Sequence, residues 1–500
     1  MDCSASYIII PQVCTKSTLI DVHEWDTGKY LGQIAQARQT YNVIGNMNEF
    51  QLTIGETTFG GRPELVDTTG IIDYGSLIYL GLQRSRTARE AIKVMTELVQ
   101  EYGYYSGGES FTIADPNEIW IMEMIGKGPG VRGAVWVAVR VPDDCISAHA
   151  NQSRIHQFNM NDKENCMYSP DVISFAREKG YFDGVNKDFS FANAYAPLDF
   201  GARRYCEARV WSYFNMFTDR GNEFLPYILG ETNTPMPLFV KPNRKVSVQD
   251  VKNAMRDHYE GTPLDISKDF GAGPYHTPYR LSPLSFKVGD REYFNERPIS
   301  TQQSGFVFVA QMRSELPDPI GGVLWFGTDD ANMTVFTPVY CCTDKVPVCY
   351  TRVDGADYIT FSWNSAFWIF NWVANMVYPR YDLMMGDVRA TQTELETTFN
   401  EAQEGVEAAA AKLLEKDPAK AKAFLTNYTN MTAQSTFDTW KRLGEFLVVK
   451  YNDGVVKRMK NGQFERNSIG QPAGVIRPGY PKEFLEEYVK QTGDRYKMPE

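Results

Sequence analysis

The feature that most constrains this chain is a change of hydrophobic period at Gly103. Before it, Ala91, Ile92, Met95, Leu98 and Val99 recur at the spacing of an amphipathic helix. Thr87 and Glu90 have the Thr-x-x-Glu spacing of a capping box, and Gly103 supplies the stop. Beyond it, SFTIADPNEIWIMEMIG alternates on both sides of Asp115-Pro116-Asn117-Glu118, a hairpin-turn signature. GAVWVAVRVP, Gly133 to Pro142, continues the alternation. Upstream, residues 41 to 64 read as one strand closed by TTFGGRPE, and IIDYGSLIYLGLQRS reads as a helix. Strand, two helices and a strand meander in that order predict an α+β fold, with helices segregated from an antiparallel sheet.

Further along, residues 159 to 304 are rich in Pro, Gly, Tyr and Asp and predict long loops with short helices. Strands return at GFVFVAQMR, GGVLWFGTDD and MTVFTPVYCC. From Thr391 the pattern is helical: TELETTFNEAQEGVEAAAAKLLEKD, then AKAKAFLTNYTN and TFDTWKRLGEFLVVKYNDG as two more helices. The expected division is therefore residues 1–390 as the main domain and 391–500 as a helical C-terminal region.

Composition narrows the function classes. The net charge is −11 and no Lys/Arg run occurs, which argues against a nucleic-acid surface. The most lipophilic segment, SWNSAFWIFNWVANMVYP, is interrupted by Asn364, Asn371 and Asn375, so it predicts a buried core element and no membrane partner. The N-terminus lacks a basic region before its short apolar patch, which leaves the cytoplasm as the default compartment. Eight cysteines in 500 residues are no disulfide scaffold, and Cys341, Cys342 and Cys349 lack a histidine pattern for zinc, so buried free thiols are expected and no metal. GKGPGVRG sits between strands and reads as a hairpin loop, not a phosphate loop. No Gly-x-Ser-x-Gly elbow is present.

Two asparagines pose a question. Asn48 shares the parity of Phe50, Leu52 and Ile54, so in a continuous strand it would point at the apolar face. A buried amide left unpaired costs about 1–3 kcal/mol. Asn48 is either a turn residue before the strand or an N–H donor aimed at a reacting carbonyl. Asn151, flanked by His149 and Arg154 after an apolar strand, poses the same alternatives.

The runs GNMNEFQLTIGETTFGGRPEL, DYGSLIYLGLQRSRTAREAI, GESFTIADPNEIWIMEMIGKG and GAVWVAVRVPDDCISAHANQSRI, in that order, resemble the dipeptidase A-type family of cysteine N-terminal-nucleophile (Ntn) hydrolases. Penicillin V acylase, bile salt hydrolase and acid ceramidase are its relatives. The resemblance runs from about Val22 to the C-terminal KYNDG. It implies a four-layer αββα sandwich of antiparallel sheets and amide hydrolysis without a cofactor. A cysteine at the mature N-terminus attacks the carbonyl, its own α-amine takes the proton, and an acyl-enzyme forms. The resemblance makes Asn48 and Asn151 active-site amides. It also implies an arginine from ARRYCEARVW, with Arg209 preferred over the neighbouring Arg203 and Arg204.

The implied substrate is a dipeptide, whose free ammonium calls for a carboxylate; Glu24, Asp26 and Glu56 are available. Action on non-peptide amides is the alternative, and a homo-oligomer is left open. The family opens with a Cys-Thr strand, an Asp-Gly-Ser turn and a second, acidic strand. Here MDCSASYIIIPQVCTKSTLI precedes DVHEWDTGKYLG, and no Asp-Gly-Ser occurs. The first hairpin is therefore expected to be missing or replaced within residues 1–21. Three readings follow: Cys3 acts after removal of Met1 and Asp2; the true start lies upstream; or the chain is a non-catalytic relative. The upstream reading is favoured, because the chain after Val22 looks intact. Cys14 would need a longer cut.

Overall fold

The computed structural model describes residues 9–13 and 18–500. Its largest sheet is antiparallel. It contains β1 (Ile9–Ile10), β4 (Val43–Ile44), β5 (Met47–Asn48), β6 (Thr53–Gly60), β7 (Gly108–Ala114), β8 (Ile119–Gly126) and β9 (Ala134–Arg140) in that spatial order, and Cys166–Tyr168 closes the far edge. A separate hairpin joins β2 (Leu19–His23) to β3 (Tyr30–Ala35). Two helices, α1 (Tyr74–Arg84) and α2 (Ala88–Tyr102), cover one face of the large sheet. There Ile54, Phe111, Ile113, Trp120 and Met122 are buried against Leu77, Ala91, Met95 and Leu98. Alternate residues of the same strands, Ile121, Ile125, Val135 and Val137, face a second core with Val172, Phe175, Phe191 and Tyr195. The meander is thus buried on both faces at its centre.

Fold class is α+β, as the change of period predicted. The Thr87 cap forms, its hydroxyl accepting from Glu90 N at 3.3 Å. The reciprocal half of the box does not: the Glu90 carboxylate accepts instead from Arg86 N at 2.8 Å. The single strand expected over 41–64 is also corrected. It is three strands separated by tight turns, and Gln51 reverses the chain with φ of 66°. The parity argument that pointed Asn48 at a core face does not survive a reversal between Asn48 and Leu52.

A second, three-stranded antiparallel sheet, Phe306–Gln311, Val323–Thr328 and Thr337–Tyr340, matches the three returning strands. It shares a core with Ile44 and Met47 of the large sheet and with Ile369, Phe370 and Val373 of the helix Ala366–Val377. That helix is the asparagine-interrupted apolar segment, buried as expected; no helix among the described residues is long and apolar enough to cross a membrane. Two long helices, Tyr381–Leu414 and Pro418–Tyr451, follow. The second is one helix where the sequence predicts two. Asp417 caps it, accepting from Ala419 N and Lys420 N, with Pro418 at its first turn.

Candidate functional site

The short β5 leaves a gap in the large sheet. It pairs with β6 only at Met47↔Thr53, and Asn46 extends the contact by one residue through Ile54 N→Asn46 O at 3.1 Å. From Gly55 onward β6 is paired to β7 on one side and to no strand among the described residues on the other. A cavity of about 500 Å³ lies along that open edge. Gly55, Glu56 and Thr57 of β6 form its floor, Tyr74 and Tyr79 of α1 and Trp25 one wall, and Phe306 and Phe308 of the second sheet the other. Gly55 faces the Phe308 ring of the second sheet.

The α1 wall is fixed by hydrogen bonds that cross the β2–β3 turn. Asp73 caps α1 and also accepts from Trp25 N at 2.9 Å. The Tyr74 hydroxyl donates to Asp26 Oδ1 at 3.0 Å, and Trp25 packs on Tyr79 with ring centroids 4.9 Å apart. Gly75 is required here, because a Cβ would sit 2.5 Å from Trp25 Cγ.

Glu56 is the carboxylate that lines the cavity, and Glu109 and Asp26 lie close to it. Thr58 lies opposite Glu109 and Glu56 opposite Phe111 in the β6–β7 ladder, so Glu56, Thr58 and Glu109 share a face. Glu109 is completely buried, at 0% exposure. One of its oxygens accepts from Thr58 Oγ1 at 2.6 Å. The other has no N–H or hydroxyl donor among the described residues, and the Glu109 carboxyl meets that of Glu56. Burial, and then the Glu56 charge, hold the Glu109 carboxyl well above the usual range. Glu56 is also raised, mainly by burial and further by Asp26. The pair therefore holds a proton at neutral pH.

On the other face of β6 lies a neutral histidine. His149 bonds Thr57 Oγ1 at 2.6 Å through Nδ1 and Thr112 Oγ1 at 2.7 Å through Nε2, one ring nitrogen donating and the other accepting. Burial, then the nearby Arg154 and Arg209 charges, push it down to about 4. Two residues on, Asn151 adopts φ of 65° and donates to Thr58 O at 2.7 Å. Its Oδ1 accepts from Arg209 Nη2 at 2.9 Å. Arg209 also donates to Ala150 O and Tyr205 O, and no carboxylate pairs with it among the described residues. Burial and then Arg297 pull it below its ordinary range.

This cluster is held from behind. Glu123 accepts from Ser153 Oγ and from the Arg154 and Ile155 main-chain N–H groups. Arg154 pairs with Glu207 at 2.8 Å with both side chains almost wholly buried. That pair ties the Asn151 loop to the wide π-type turn Ala202–Glu207, which runs into the helix Ala208–Phe217 carrying Arg209.

The sequence-predicted site residues separate here. Asn151 and Arg209 are brought together. Arg203 and Arg204 are not part of the pair; they bond to Asn233 and Glu296. Asn48 is corrected. Its exposure is 0%, and both amide hydrogens are taken, by Leu82 O and Ser85 O at 2.8 Å. Its Oδ1 accepts from Phe50 N at 2.9 Å and Leu52 N at 3.2 Å. No N–H remains for an oxyanion, and the residue is the turn asparagine that was the alternative. Cys3 and Cys14 lie outside the described residues. Glu24 and Asp26 are not among the cavity-lining groups, whereas Glu56 is. Sequence reasoning missed Glu109, although its parity with Phe111 and Ile113 puts a carboxylate on an apolar face and was the available signal.

The six described cysteines are free, and none resembles an activated thiol. Burial pushes Cys166 up to about 11 and Cys342 and Cys349 up to about 12. Burial likewise raises Cys206 and Cys341, and burial together with Asp144 raises Cys145.

The fold and cavity define an α+β protein with an acidic, aromatic-walled site at an open sheet edge. The chain belongs to peptidase family C69, whose sequence profile matches residues 4–394. The resemblance to dipeptidase A-type peptidases is thereby borne out. A probable dipeptidase of Salmonella dublin is 30% identical over 338 residues, covering 66% of this chain and 68% of that protein. A probable dipeptidase of Latilactobacillus sakei is 27% identical, with 70% of this chain and 66% of the relative covered. Dipeptidase A of Lactobacillus helveticus is 24% identical over 64% of this chain and 60% of its own length.

Proposed function

We propose that the chain is a cysteine dipeptidase of the Ntn type, hydrolysing dipeptides bound in the cavity beside β6. The observation that carries the reading is family membership together with relatives named dipeptidases. The proposed fold is the four-layer αββα sandwich, with residues 391–500 as its helical region. Support comes from the two antiparallel sheets sharing a core, with α1 and α2 on one and long helices packed with the other.

In the proposed mechanism a cysteine thiolate attacks the dipeptide carbonyl. The free α-amine of that cysteine, with an ordinary pKa of about 8, takes the thiol proton and then delivers it to the leaving amine. Asn151 and Arg209 face the developing oxyanion. Asn151 has one amide hydrogen with no partner among the described residues, and Arg209 supplies a charge with no carboxylate to neutralise it. Water releases the acyl group. All six described thiols are held protonated, which leaves Cys3 and Cys14 as the candidates within this chain; Cys3 is preferred as nearer the N-terminus and needs Met1 and Asp2 removed.

The test is hydrolysis of an unblocked dipeptide by the purified chain, by Cys3→Ala and by Cys14→Ala, with the mature N-terminus read by mass spectrometry. Loss in Cys3→Ala alone, with the mature chain starting at Cys3, identifies Cys3 as the nucleophile, and absence of activity in all three forms sets both cysteines aside. Activity unchanged in both variants overturns the assignment. Cleavage of N-acylated amides in preference to free dipeptides supports the acylase alternative instead.

A further inference from the structure

We infer that the Glu56–Glu109 carboxyl pair, with Asp26 at its rim, is the seat of the substrate's free α-ammonium, so that the site selects dipeptides by their unblocked N-terminus. This rests on the dipeptidase reading and adds the residues that determine specificity.

Three observations carry it. The first is the carboxyl pair itself: Glu109 is fully buried in a strand facing α1, its carboxyl meets that of Glu56, and no basic side chain pairs with either among the described residues. Two carboxyls with no cation between them repel once both ionise, and an arriving ammonium relieves that repulsion. The second is the position of Glu56, which lines the cavity with Glu109 behind it, so the pair is reached from the cavity through Glu56. The third is the wall. Trp25, Tyr74 and Tyr79 stand around the acids, and aromatic faces favour a cation that is leaving water.

The spacing fits a dipeptide. Glu56 and Thr58 are two residues apart on β6, about 7 Å at the strand rise of ~3.4 Å per residue. The Thr58 carbonyl holds Asn151. An ammonium on Glu56 leaves the rest of the dipeptide to run along β6 towards Asn151. Phe306 and Phe308 remain for apolar side chains. A blocked N-terminus brings an acyl group and no positive charge against two carboxyls, and is rejected.

The seat also releases a proton. The pair shares one proton when empty, and ammonium binding favours both carboxylates, so the proton leaves to solvent as the N⁺–H···O⁻ bonds form.

The experiment uses the full chain, with Ala-Phe and N-acetyl-Ala-Phe as probes. Binding is followed by titration calorimetry at pH 7 in buffers of different ionisation heat, and turnover is followed in parallel. The wild type is expected to bind the free dipeptide about 100-fold more tightly than the acetylated one, releasing close to one proton. Glu56→Gln and Glu109→Gln are expected to reduce that preference to about threefold or less and to abolish proton release. Exposed Asp26→Asn, which carries little risk to folding, is expected to weaken free-dipeptide binding about threefold without affecting the acetylated probe. Equal binding of the two probes by the wild type, or an unchanged preference in both glutamate variants, overturns the seat. Charge-selective binding without turnover supports the seat and overturns only the hydrolytic reading.

Discussion

Asn48 joins four main-chain groups, two carbonyls at the end of α1 and two amides of the turn that leads into β6. Asn48→Ala leaves those groups buried and unpaired, and about 3 kcal/mol of stability is expected to be lost in urea unfolding. Catalysis per folded molecule is expected to hold within about threefold, because an oxyanion donor would instead cost about 10²–10³ in kcat. His149 gives a pH prediction. Its folded pKa, pushed down to about 4, lies below the unfolded value of about 6.5, so the unfolded chain binds the proton first on acidification. Stability is therefore present above pH 6.5 and falls as pH drops towards 4, by about 3 kcal/mol from this group. Subtracting the pH profile of His149→Gln from that of the wild type should return this difference. A profile parallel to wild type would contradict it. Among single residues the sequence was partly legible. Parity flags Glu109 as it flagged Asn48, but only the fold distinguishes a carboxyl set against a second carboxyl from an amide satisfied on every atom.

The elements around the cavity are set by close packing as much as by pattern. The ring of Trp25 occupies the space a side chain at residue 75 would need. Gly75→Val is expected to move the tryptophan into the cavity, raise KM about tenfold and shift tryptophan emission, with kcat less affected. The helix Ala88–Tyr102 and the β7–β8 hairpin were legible because a stripe and an alternation are local properties. The helix Pro418–Tyr451 was misread as two for a physical reason. Thr426, Thr429, Thr432 and Thr436 look like turn signals, yet all four are buried inside it. Thr432 returns its hydroxyl to Tyr428 O at 3.0 Å, and Thr429 receives Tyr340 N at 3.4 Å, so these two hydroxyls are satisfied by the helix and by the adjoining strand. Breaking the Arg154–Glu207 pair by Glu207→Ala strands a buried guanidinium. It is expected to cost about 3–5 kcal/mol in thermal or urea unfolding and to free the Asn151 loop.

At the scale of the molecule, the cavity assembles residues from positions 25, 56, 74, 149 and 308, and no local pattern links them. The α+β class was legible from the order of periods. The open edge of β6 was not, because it depends on how short β5 is, and the turn at Gln51 was hidden inside what reads as one strand. The central claim is that this edge holds a dipeptide by its free amine and cleaves it. The most direct test is the ratio of kcat/KM for Ala-Phe to that for N-acetyl-Ala-Phe, measured on the purified full chain. The account predicts a ratio of about 100 or more in favour of the free dipeptide. A ratio near one, or in favour of the acetylated substrate, would contradict it.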